Sequence, residues 1–221
     1  MEQGDQIKKR KHIIFLSSSY VNVAKLFAKE YSDFDVFLIL DRKFPFEIED
    51  LDNFYTYTFD KSKMYERDKE RYFDNLGIYV NEFEPDLIIT NNYTKLIPNS
   101  FMDFLKFTRP HVKLLNIHHA DLRILDENKE MKFKGLNAEI KEMLDEAMII
   151  TTIHRITDES MDTGERLAFS HETTIKELKT KSLLHKPEDM FNFRTKNLVR
   201  SYHERTKVLH LLHKVIEKEL Q

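Results

Sequence analysis

Three polar side chains in this 221-residue chain have the types and spacing for acyl chemistry. Asn116 and His118 stand two apart in LLNIHHADL, residues 114–122, at the carboxyl end of a short apolar run. Asp162 lies in RITDESMDTG, residues 155–164, in the turn after a second apolar run. A neutral amine attacking an activated formyl or acyl carbon passes through a tetrahedral intermediate, whose oxyanion needs donors already in place. An asparagine amide and an imidazole are such donors. A carboxylate beside the imidazole favours imidazolium and fixes its orientation, or holds the water that relays the amine's proton. Side chains two apart on a strand point to one side, so Asn116 and His118 share a face. Gly164 lets the Asp-Thr-Gly turn bend closely beneath them. Each residue also has a structural reading: a histidine after a strand packs more often than it catalyses, aspartate favours turns, and His119 competes with His118.

These residues need a scaffold, and the hydrophobic pattern describes one. Buried-type strands are expected at His12–Leu16, 35–40, 54–59, 86–90 and 112–117, and a further strand at 148–156 with differing faces. Between them the spacing predicts helices over Val21–Tyr31, about Ser62–Glu84 with Pro85 helping to end it, a short one opening near Pro98, and about Leu136–Glu146. Residues 166–180 read as one more strand or an extended arm. The tail from Pro187 is mainly helical, with an apolar stripe of Val208, Leu211, Leu212, Val215 and Ile216. Alternating apolar strands and amphipathic helices are the signature of an α/β fold, a Rossmann-like, mostly parallel twisted sheet with helices on both faces. The expected organisation is a polar tail at 1–11, an α/β domain at 12–180 and a C-terminal helical extension at 181–221. Ligands of such sheets bind beyond the carboxyl ends of the strands, where Asn116, His118, Ser17–Ser19 and Asn91–Thr94 all fall.

Composition narrows the function. A net charge of −3 argues against a general nucleic-acid or membrane-surface binder. No apolar run approaches the length of a membrane helix, and the opening MEQGDQIKKRKH has no signal core. The absence of cysteine excludes disulfides and thiolate metal sites and suits a cytoplasmic setting. His210 and His213 stand at i, i+3, but without a partnering pattern they do not make a metal site, and no metal is expected.

LLNIHHADL, then KGLNA at 134–138, then TIHRITDESMDTG at 152–164, resembles the folate-dependent formyltransferase family. That family carries an Asn-Ile-His motif, a glycine-led helix, a Thr-x-His strand and an Asp-x-x-x-Asp-Thr-Gly turn in this order. Upstream, FEPDLIITNNYTKLIPNSFM at 83–102 is similar to its strand, substrate loop and short helix. The likeness spans about residues 12–170 and is strongest to the branch that formylates glycinamide ribonucleotide in purine synthesis. It implies a formyltransferase-type α/β fold and 10-formyltetrahydrofolate as co-substrate. Asn116 would hold the formyl oxygen, His118 would stabilise the oxyanion and assist proton transfer, and Asp162 would polarise His118 and anchor a bridging water. The donor pterin would lie between the loop Asn92–Ile97 and the segment leading to Asp162. The implied donor contacts are Tyr93, Thr94, Lys95, Leu96, Ile97, Thr157, Asp158 and Glu159. Thr94 and Lys95 stand where the family has a Met-Arg pair.

Three departures bear on the acceptor. The family's purine branch cradles the acceptor phosphate with a glycine-rich loop after strand one, whereas this chain has SSSYVN, Ser17–Asn22. Serine hydroxyls at a helix N-terminus also bind phosphate, which implies Ser17, Ser18, Ser19 and Asn22 as acceptor contacts; the alternative is that the serines only cap the helix. His119 replaces the usual proline and joins the acceptor side, followed by a long charged loop to Gly135 that is either a lid, a partner contact or plain surface. The tail carries no transferable motif and is expected to be a packing arm, with the C-terminal helix a candidate dimer contact. The small-molecule acceptor is therefore a primary amine, phosphorylated or nucleotide-linked: glycinamide ribonucleotide first, an amino-sugar nucleotide as alternative. Hydrolysis of the donor ranks below these because the family's hydrolase has an additional N-terminal regulatory domain, and a non-catalytic folate binder is the remaining alternative.

Overall fold

The computed structural model describes residues 10–18, 22–43, 51–160 and 162–221. Strand β1 (Lys11–Ser17) is buried on both faces, as its uninterrupted apolar run requires, and runs into helix α1 (Asn22–Glu30). There follow β2 (Phe34–Leu40), β3 (Phe54–Thr58), α2 (Ser62–Arg67), α3 (Lys69–Asn81), β4 (Leu87–Asn91), α4 (Asn99–Thr108) and β5 (Lys113–His118). The second half adds α5 (Ala138–Glu146), β6 (Met148–Ile149), β7 (Thr152–Arg155), β8 (Arg166–Phe169), β9 (Thr173–Thr174) and α6 (Ile175–Thr180). A 3₁₀ turn at Pro187–Phe191 leads to α7 (Phe193–His203), a π turn at Glu204–Val208 and α8 (Leu209–Glu219), which form one uninterrupted helix.

The main sheet has the order β3-β2-β1-β4-β5-β7-β8. β3, β2, β1, β4 and β5 are parallel, and β7 and β8 add antiparallel. The order turns back between β1 and β4, the kind of switch point at which α/β sheets open a crevice. Alternate residues separate the two faces. Ile13, Phe15, Val36, Leu38, Leu115 and Ile117 pack under Val23 and Phe27 of α1 and Leu212, Val215 and Ile216 of α8. Ile14, Leu16, Ile39, Ile88 and Leu114 pack under Tyr72, Phe73 and Leu76 of α3 and Phe101 and Leu105 of α4.

The pattern differs from the sequence expectation where a polar residue intervenes. The helix expected over Ser62–Glu84 breaks at Asp68, whose extended backbone (φ −154°, ψ 93°) lets its carboxylate accept the Arg71 N–H and cap a new helix. The strand expected at 148–156 is two strands: β6 pairs with β9 in a small separate sheet, while β7 joins β5. Between them the Ile150 N–H donates to Glu142 and the Thr151 N–H to Ser170, so side chains replace the ladder. The segment 166–180 is β8, β9 and α6 rather than one arm. The apolar stripe of the tail faces inward: Val208, Leu212, Val215 and Ile216 are buried within this chain, the last three against the sheet and α1. Among the described residues no helix is long and apolar enough to cross a membrane.

Candidate active site

Neighbouring strands bring Thr90, Asn116 and His154 into one row. Thr90 is in register with Asn116 across β4 and β5, and Asn116 with His154 across β5 and β7. The Thr90 hydroxyl donates to Asn116 Oδ1 (2.7 Å), and Asn116 Nδ2 donates to His154 Nε2 (3.0 Å). His154 then holds its proton on Nδ1, which donates to the Arg155 carbonyl (3.1 Å).

Asp162 closes over this row. Its Oδ1 lies 3.3 Å from Asn116 Nδ2, 3.3 Å from His118 Nδ1 and 3.5 Å from His154 Nε2. Its Oδ2 accepts the Gly135 N–H at 2.9 Å. The turn reaches this close for two local reasons. Asp162 has a left-handed backbone (φ 59°), which aspartate tolerates better than most residues. A Cβ at Gly164 would sit 1.6 Å from the Arg155 carbonyl oxygen, so only glycine fits there. Burial alone would raise the Asp162 carboxyl, but the hydrogen bond from His118, its charge and the Gly135 amide hold it well below the usual carboxylate range. His118 Nε2 lies 2.7 Å from the Phe133 carbonyl. Both its ring nitrogens therefore face acceptor oxygens. The arrangement is a buried carboxylate that orients an imidazole and an amide at the end of a strand.

A cavity of about 290 Å³ opens onto this cluster. Tyr93, Thr94, Lys95, Leu96, Ile97, Thr157 and Asp158 line it with Asn116, His118 and Asp162. Glu159 is exposed, and Ser160 rather than Glu159 joins the wall. Lys95 lines the cavity with its charge already committed. It pairs with buried Asp41 and sits over the rings of Tyr65, Tyr72 and Tyr93, 5.2–5.6 Å from their centroids.

The residues that the resemblance assigns to the acceptor lie deep in the fold or engage other side chains. Ser17 and Ser18 are fully buried. The Ser18 hydroxyl donates to Asp41 (2.7 Å) and accepts from the Thr94 N–H (2.9 Å), so it braces the loop after β4. Asn22 donates to the Ser201 hydroxyl of α7. Ser19 lies outside the described residues. His119 lines the cavity, and its ring nitrogens turn to Asn91 and Thr151.

Sequence reasoning missed Glu139 and Arg200, which form a buried ion pair in the cavity wall. Glu139 lies one residue past the quoted KGLNA segment, a usable signal; Arg200 lies in a tail without a motif.

The formyl transferase family model matches residues 11–190. The chain belongs to that family and is a formyltransferase. Solved structures share its fold at low identity. The phosphoribosylglycinamide formyltransferase of Streptococcus pneumoniae TIGR4 superposes with a TM-score of 0.63 at 18% identity, over 96% of this chain and 99% of its own. Glycinamide ribonucleotide transformylase 1 of Geobacillus kaustophilus gives 0.58 at 19%, over 92% and 98%. The Bacillus halodurans phosphoribosylglycinamide formyltransferase gives 0.57 at 17%, over 85% and 93%. No curated protein matches the chain.

Proposed function

We propose that this formyltransferase moves the formyl group of 10-formyltetrahydrofolate to the primary amine of glycinamide ribonucleotide. The observation that carries the reading is the convergence of Asn116, His118 and Asp162 on one cavity at the end of β5. The cavity suits a folate: Leu96, Ile97, Leu136 and Ile156 offer apolar faces to a flat ring, and Tyr93, Thr94 and Thr157 add polar atoms. When bound, the folate supplies the electrophilic formyl carbon. Asn116 and His118 donate to the formyl oxygen as the amine adds. Asp162 orients His118 and anchors the water that relays the amine's proton. Both donors are internally satisfied at present, so binding exchanges an internal hydrogen bond for one to the formyl oxygen.

A second acceptor, an amino-sugar nucleotide, is favoured by one observation. Ser18, in the turn that would take a phosphate, is spent on Asp41 and Thr94. Single-turnover formyl transfer to each acceptor decides between them. Transfer to glycinamide ribonucleotide at least about tenfold faster supports the first reading. The reverse order supports the second. Formate release at an equal rate without acceptor would replace both with hydrolysis. If a folded protein binds folate and turns over nothing, it is a folate binder.

A further inference from the structure

We propose that Glu204 is a positioning residue for formyl transfer, acting through His119 on the strand end that carries His118. The inference rests on the reading of Asn116, His118 and Asp162 as the reacting site. Glu204 opens the π turn in the C-terminal helix, a distortion that recurs at functional sites. It is fully buried, and neither carboxyl oxygen has a hydrogen bond. Its Oε1 lies 3.4 Å from His119 Nε2, which is also 3.0 Å from Asn91 Oδ1. The Asn91 amide nitrogen is buried beside them without a hydrogen-bond partner. On its other edge His119 Nδ1 meets the Thr151 hydroxyl at 3.3 Å, and Thr151 continues to His203 Nε2 at 3.0 Å. The His119 ring is therefore gripped from the end of β4, from Thr151 just before β7 and from the long helix. Its backbone follows His118 directly, and Asn91 directly precedes the loop that lines the donor side of the cavity.

The charged and titratable groups facing Glu204 are His119 at the end of β5, Arg200 one turn back on α7 and Glu139 on α5, with His118 beyond His119. Arg200 and Glu139 pair with each other. Burial raises Glu204 to about 8 against the lowering effect of Arg200 and Asn91, and Glu139 adds to the rise. Burial, together with Arg200, His203 and His118, pushes His119 well down. The pair is thus a glutamic acid beside a neutral imidazole. Ionised Glu204 would be a buried carboxylate with only Arg200 and Asn91 beside it to offset its charge, so its hold on His119 changes as it titrates.

The test compares kcat and KM from pH 6 to 9.5 for the wild type, Glu204→Gln and Glu204→Ala, with a substrate-free NMR titration of the His119 ring nitrogens. Glutamine copies the neutral acid. Glu204→Gln should keep kcat within about threefold at pH 7 and lose the alkaline fall near pH 8. Glu204→Ala should lower kcat about tenfold or more with little change in KM. The wild-type His119 signals should move as pH crosses 8 and stay fixed in Glu204→Gln. Glu204→Gln as impaired as Glu204→Ala, an unchanged alkaline fall, or wild-type kcat in Glu204→Ala would overturn the inference. Should Glu204→Ala fail to fold, wild type and Glu204→Gln still decide. Because the titration needs no substrate, an inactive wild type would count against the reacting site, and fixed His119 signals against Glu204.

Discussion

One oxygen of Asp162 gathers Asn116, His118 and His154, and the other takes the Gly135 amide. The charge, more than the shape, sets how these groups point. Asp162→Asn keeps the size but replaces half the carboxylate with a donor that confronts His118 and Asn116. We expect kcat to fall at least about a hundredfold with the circular dichroism spectrum unchanged. A fall under about threefold would remove Asp162 from the mechanism. The folded carboxyl lies well below its unfolded value, so the stability it contributes is present above about pH 4 and is lost as pH falls further. Any acid limb of kcat above pH 5 therefore belongs to another group. At this scale much was legible: Asn116, His118 and Asp162 carry type and spacing in the sequence. The inward turn of His119 was not, because Asn91, Thr151 and Glu204 are distant along the chain and have no pattern pointing at one another.

Elements made of continuous buried runs were equally legible, since β1, β2, β4 and β5 need no partner to announce their hydrophobicity. The division of 148–156 was not, because it depends on Glu142 and Ser170 taking the amides between the two strands. The C-terminal helix was legible as a helix but not in its docking. Arg155, next to His154 on β7, grips nearly buried Glu219 of α8 through Nε and Nη2 at 2.8–3.0 Å. Arg155→Ala leaves that carboxylate buried, with Lys113 at 3.5 Å as its remaining ion-pair partner. Because Arg155 is a third exposed, the loss belongs at the lower end for such pairs, about 2–3 kcal/mol in urea unfolding. The kcat should fall far less than in Asp162→Asn, since Arg155 steadies the strand and not the reacting atoms. No change in urea midpoint would mean that α8 docks through its apolar stripe alone.

Across the whole molecule, buried titratable groups oppose each other and shape the pH dependence of stability. Burial raises both Glu142 and Glu204 to about 8. The folded protein keeps protons that the unfolded chain releases near 4.5, so these two remove stability as pH climbs from 4.5 through 8. Burial, helped by Lys207 and opposed by Glu177, lowers His203 to about 4, and His119 moves in the same direction. The unfolded chain takes up those protons near 6.5, so these two remove stability as pH falls from 6.5 toward 4. Between about 4.5 and 6.5 the two slopes cancel. Above 6.5 only the glutamates act, and below 4.5 the histidines are joined by carboxylates such as Asp162. The melting temperature should form a plateau centred between pH 5 and 6 and fall by several degrees on going to pH 8. Glu204→Gln should recover a substantial part of that alkaline loss while leaving the acid side unchanged. Scanning calorimetry from pH 4 to 9 measures both. A melting temperature that rises from pH 6.5 to 8 would show that Glu142 and Glu204 are ionised in the folded protein, and that charges outside this core set its stability.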